Sequence, residues 1–101
     1  MATENVELRQ QVAAALMSGI CTTVCRSGGD TPAINDESLR PILDVTGFDS
    51  QCGIEVTVEL EAALQVADLG ENIFIEDVDG KTRARTVREV IDAILCVMET
   101  I

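Results

Sequence analysis

Apolar residues recur at helical spacing in three stretches of the chain. In the first, Leu8, Val12, Leu16 and Ile20 stand four apart, Ala13 to Ala15 add helix propensity, and Thr3 is placed to cap the start. The second begins at Ser50, after Gly47-Phe48-Asp49, and runs to about Leu64. Steps of about 100° per residue put Cys52, Gly53, Val56, Leu60, Ala63 and Leu64 on one side. Gln51, Glu55 and Glu59 fall on the other side, with Ile54, Val58 and Glu61 between the two. A glycine inside a helix costs about 1 kcal/mol relative to Ala, so Gly53 implies that another backbone packs closely against it. The third stretch opens with Thr86-Val87-Arg88-Glu89, a capping box, and continues through Val90, Ile91, Ile94, Val97 and Met98 at three and four spacing.

The intervening segments read as irregular. Turn formers cluster from Arg26 to Pro32, and Pro41 argues against a long helix, so residues from about 22 to 48 are expected to form a long ordered loop with a helical turn near Asp36 to Arg40. Ile34, Leu39, Ile42, Leu43, Val45 and Phe48 would tether that loop to the core. Before the last helix, Ile73-Phe74-Ile75 must be buried, Asp77 to Gly80 forms a turn, and a short third helix is expected near Glu76 to Val78. No internal repeat is visible. The expected fold is all-α, one domain over residues 1–101, with three main helices and a minor one.

Composition restricts the chemistry. Hydrophobic residues make up 47% of the chain, yet there are two Phe and no Tyr, Trp or His, so Val, Ile, Leu and Ala must build the core and histidine-dependent catalysis is excluded. The expectation is a protein that is not an enzyme. A net charge of −11 argues against binding a nucleic-acid backbone and points to basic protein partners and a monomer. The excess is concentrated: from Pro41 to Gly80 there is no Lys or Arg, and ten Asp or Glu residues fall there. Near the start, Glu4, Glu7 and Arg9 replace the pattern of a secretory signal, and the apolar run Val90 to Met98 is too short for a membrane span, so a cytoplasmic protein is expected. Cys21, Cys25, Cys52 and Cys96 lack zinc-site spacing and read as reduced, partly buried thiols.

Particular residues bear on two other chemistries. Placing Gly80 at the sixth position of a calcium loop puts Ile75 first and Thr86 twelfth, where Asp and Glu are required, so that alignment fails and no metal is expected. Cys21 and Cys25 would share a helical face for redox work only if the first helix continues that far.

Asp49-Ser50, the helix with Glu55 and Leu60-Glu61 in register behind it, and the closing Thr86-Val87 with Val90-Ile91-Asp92-Ala93-Ile94 together resemble the acyl carrier protein family. The likeness covers the second and last helices well and the first in periodicity only. It implies a four-helix bundle in which Ser50 bears 4′-phosphopantetheine taken from coenzyme A, with Asp49 beside it. The arm's thiol would hold an acyl or aminoacyl group as a thioester, in fatty acid or polyketide biosynthesis or a related pathway. The implied partners are a phosphopantetheinyl transferase and acyl-loading and acyl-transfer enzymes with basic patches. These would dock on Gln51, Ile54, Glu55, Val58, Glu59 and Glu61. Gln51 departs from the Leu usual in the family after the serine, where it helps form the surface the transferase reads. A carrier-like interaction module that has lost its arm is the alternative reading.

Overall fold

The computed structural model describes residues 2–26, 28, 36–67 and 69–99. In chain order its elements are α1 (Ala2–Arg26), α2 (Pro41–Asp44), α3 (Ser50–Leu64), β1 (Ile75–Val78), β2 (Lys81–Ala84) and α4 (Val87–Glu99). At 1.5 Å per residue α1 is about 37 Å long, and it packs against both α3 and α4. Val12, Leu16, Ile20 and Val24 form its fully buried stripe, four apart. Val56 and Leu60 of α3 and Val87, Val90, Ile91 and Ile94 of α4 pack with it in the core. α1 and α3 approach closely at Gly19, where a Cβ would stand 3.0 Å from Val56 Cγ1.

The first helix departs from expectation at both ends. Thr3 lies within it rather than before it, and it extends through Cys21–Arg26 instead of yielding to a loop. Thr22, Thr23 and Val24 are weak helix formers, but burial of Thr23 and Val24 against the core overrides that preference. From Asp36 onward the expected loop is also more structured. Asp36 to Leu39 forms a turn, not a helical one, closed by Leu39 N–H on Asp36 O at 3.2 Å, with Asp36 Oδ1 accepting from both Ser38 N–H and Ser38 Oγ. Pro41 then opens the one-turn α2, since a proline at the first helical position sacrifices no hydrogen bond. Val45 and Phe48 are buried as tethers and Leu39 and Ile42 partly so, whereas Leu43 is 70% exposed. Ile34 lies outside the described residues.

The short third helix expected at Glu76 to Val78 is a strand, so the fold is mostly helical with a small sheet rather than all-α. β1 pairs antiparallel with β2, from Ile75↔Ala84 to Val78↔Lys81. Asp79 and Gly80 have φ of 51° and 79° between the strands, the two positive values that a two-residue hairpin turn needs. Ahead of the hairpin, Phe74 is fully buried edge-to-face on Phe48, ring centroids 4.9 Å apart.

The start of α4 holds the molecule's segments together. Thr86 and Glu89 cap reciprocally: Thr86 N–H donates to Glu89 Oε1 at 2.8 Å, and Glu89 N–H to Thr86 Oγ1 at 3.1 Å. The next open donors, Val87 N–H and Arg88 N–H, reach Leu39 O at 2.8 Å and Glu37 O at 3.0 Å. Glu37 itself takes both arms of the Arg9 guanidinium, at 2.8 and 3.2 Å, which joins α1 to the same point. Glu89 also pairs with Arg83 and, at 3.5 Å, with Arg40.

The Arg9 hydrogen bonds hold the Glu37 carboxyl below the usual carboxylate range, and the Thr86 N–H does the same for Glu89, with Arg83 adding to it. A depressed folded-state pKa contributes stability above the ordinary value and loses it as pH falls through the folded one. Glu89→Gln should therefore be less stable than the parent at pH 7, and that gap should narrow as the pH falls through and below the ordinary carboxylate range. Denaturant midpoints across pH check this, and a gap that widens on acidification would reverse the sign. Thr86→Ala should cost about 1 kcal/mol at neutral pH in the same assay.

Candidate functional site

Helix α3 has the bounds expected from sequence. Asp49 is its N-cap, with Oδ1 accepting from Cys52 N–H at 3.0 Å. That bond, with the Cys52 thiol and the Gln51 N–H adding to it, holds the Asp49 carboxyl below its ordinary range. The helix stops at Gln65, whose left-handed conformation (φ 55°) caps the C-terminus. Ser50 is the first helical residue and is exposed. Among the described residues nothing bonds its hydroxyl.

The buried side of α3 is Cys52, Gly53, Val56, Thr57 and Leu60. Ala63, expected there, is exposed, because only the first three turns lie fully against the core. Thr57 is buried instead, and both of its bonds explain why. Its hydroxyl donates to Gly53 O at 2.7 Å and accepts Ile73 N–H at 2.9 Å. Gly53 faces a side chain rather than a second backbone: a Cβ there would stand 2.6 Å from Asn72 Oδ1. Asn72 in turn donates from Nδ2 to Ser50 O at 3.1 Å and accepts Phe74 N–H at 3.0 Å. Thr57 and Asn72 thus fix residues 72–74 across the start of α3. Their polar side chains at unremarkable positions offered no signal in the sequence.

This crossing sets the hairpin beside Ser50 and opens a cleft of about 370 Å³. Ser50, Ile54, Glu71, Asn72, Ile75, Glu76 and Asp77 line it. Of the residues expected to dock a partner, Gln51 and Glu55 are exposed, Ile54 is half-buried, and Val58 is 59% exposed. Ser50, Ile54 and Val58 stand four apart, so they form one line along α3 with the acid Glu55 beside it. The other two acids have partners inside the molecule. Glu59 Oε1 lies 3.3 Å from Arg26 Nη2, and Glu61 Oε2 accepts Leu69 N–H at 3.0 Å. Glu61 therefore closes the turn after α3.

The acid-rich segment is less bare than its sequence implies. Glu76 is held by Arg83 at 2.9 Å and Arg85 at 3.4 Å, both from the strand and link that follow. Asp44 Oδ2 accepts Arg40 N–H at 2.7 Å. Glu55, Glu71 and Asp79 remain exposed with no ion pair to a described residue. No group of three or more Cys, Asp or Glu among the described residues is arranged to hold a metal ion. Cys52 is buried and Cys21 half-buried, but Cys25 and Cys96 are exposed, contrary to expectation. With α1 reaching Arg26, Cys21 and Cys25 do share a helical face. No helix among the described residues is long and apolar enough to cross a membrane.

No family model matches the chain, and neither a curated protein nor a solved structure does so.

Replacing Gly53 tests the Asn72 joint. Gly53→Ala should destabilise the protein even though Ala is the better helix former by about 1 kcal/mol, because the new Cβ displaces Asn72. In the Asn72→Ala background the same change should be neutral or stabilising. Additive effects in this double-mutant cycle would show that the two residues do not interact.

Proposed function

We propose that the chain is a carrier protein that bears 4′-phosphopantetheine on Ser50. The observation that carries this reading is the setting of that serine: exposed, first in a helix capped by Asp49, its hydroxyl unengaged among the described residues, at the rim of a cleft. Helix starts present unpaired N–H groups and the positive end of the helix dipole, which suit an attached phosphodiester. Modification is a transfer from coenzyme A. The Ser50 oxygen forms a bond to the phosphorus nearer the pantetheine, the pyrophosphate bond breaks, and adenosine 3′,5′-bisphosphate leaves. The transferase takes the serine proton. Once attached, the arm supplies a thiol on a long tether, where an acyl cargo is held as a thioester.

The resemblance noted in sequence supports the same reading, and so does the line of Ser50, Ile54 and Val58 with Glu55 beside it. A narrow apolar strip flanked by acid fits enzymes that present a basic rim around a small apolar contact. Charge steering then favours fast, brief encounters, as a shuttle requires.

Incubation with coenzyme A, magnesium and a broad-specificity transferase should raise the intact mass by one phosphopantetheine. Ser50→Ala should abolish the increment. An increment that persists in that variant, or that no transferase produces on the parent, would overturn the assignment. Among the acids, Glu55 is the cleanest probe of docking, since Glu59 and Glu61 have internal partners. Glu55→Lys should leave stability within about 0.5 kcal/mol of the parent while slowing the transferase several-fold at low salt.

A further inference from the structure

The hairpin register fixes which backbone groups of β1 face outward. A two-residue turn makes Val78 and Lys81 a hydrogen-bonded pair, so Glu76 and Arg83 form the next one. Arg85 N–H on Phe74 O at 2.8 Å continues the same alternation. Ile75 and Asp77 therefore turn their backbone groups away from β2. Ile75 N–H is taken up by Asn72 O at 3.4 Å. This leaves Ile75 C=O, Asp77 N–H and Asp77 C=O on the outer edge, with no partner among the described residues. Ile75, Glu76 and Asp77 line the cleft that also contains Ser50. An open strand edge of this kind accepts an extended chain of amides.

We propose that the cleft is a strand-addition groove for the phosphopantetheine arm, which leaves Ser50 and lays its amides along the outer edge of β1. This rests on the carrier reading above. The arm's chemistry suits the lining in order. Its geminal methyl groups, nearest the phosphate, meet Ile54 and Ile75. Its two amides, further along, have Asp77 N–H to donate to a carbonyl and the carbonyls of Ile75 and Asp77 to accept an N–H. The tether is uncharged beyond its phosphate, as a groove bordered by Glu71, Glu76 and Asp77 requires. An anionic ligand would be repelled, and two isoleucines are too little apolar surface for a long acyl chain.

The test compares isotope-labelled unmodified and phosphopantetheinylated protein by NMR. Docking predicts nuclear Overhauser contacts from the arm's methyl groups to those of Ile54 and Ile75, and amide exchange at Asp77 slowed several-fold on modification. Asp77→Pro removes an outward N–H without breaking a ladder bond, so it should weaken those contacts while cross-strand signals between Glu76 and Arg83 persist. A modified protein whose arm shows the shifts of free pantetheine, with no contacts and unchanged Asp77 exchange, overturns the docking and leaves the carrier reading standing. Failure of every transferase to modify Ser50 overturns the carrier reading and the docking with it. The wild-type measurements decide the matter even if Asp77→Pro disturbs the hairpin.

Discussion

One buried hydroxyl joins α3 to the segment that leads into the hairpin. Thr57 donates to Gly53 O within its own helix and accepts Ile73 N–H from a segment sixteen residues on. Without it that N–H would be buried and unpaired, a loss of about 1 to 3 kcal/mol. Its structural effect is larger than its energy. Once Ile73 is anchored, Asn72 lies over Gly53 and bonds Ser50 O, Phe74 lands on Phe48, and the hairpin can only start beside the first turn of α3. The position of the cleft, and the nearness of β1 to Ser50, both follow from this joint.

Sequence reveals what local chemistry decides. Asp49 and the Thr86 to Glu89 box announce helix starts because their bonds reach only three residues along the chain, and the bounds of α3 could be read without a structure. The stripes of α1 and α4 are legible for a similar reason, since a four-residue repeat needs no partner to be seen. The hairpin was signalled by Asp79-Gly80, the dipeptide suited to paired positive φ values, but the acids around it mask the strands. Only Ile75 and Val78 are apolar in β1, and β2 offers only Ala84, so no alternation stands out. Thr57, Asn72 and the bonds from Val87 and Arg88 to Leu39 and Glu37 lay beyond sequence reasoning altogether. They join residues far apart in the chain, and nothing nearby marks them.

Charge shows the same division between local and long-range. A forty-residue stretch with no base appears uncompensated when read linearly, yet Arg26, Arg83 and Arg85 come to it from outside its limits. Each of these pairs is partly exposed and contributes little alone. Their effect is on distribution. By engaging Glu59 and Glu76 they leave Glu55, Glu71, Asp77 and Asp79 among the exposed acids with no ion pair to a described residue, so the residual negative field is concentrated around the exposed face of α3 and the hairpin.

That distribution bears on how a phosphodiester on Ser50 would be tolerated. It would stand one residue from Asp49, which stays ionised because Cys52 N–H and its neighbours stabilise the carboxylate. The two anions repel, but both are exposed, where water and salt screen them, and both sit at the positive end of the same helix. Of the remaining carboxylates, Glu71, Glu76 and Asp77 line the cleft. A ligand with its anion at the helix start and an uncharged amide tether beyond it matches this gradient, whereas one with charge throughout does not. Two independent features of the fold, the capped helix start and the open edge of β1, therefore favour the same order of chemical groups away from Ser50.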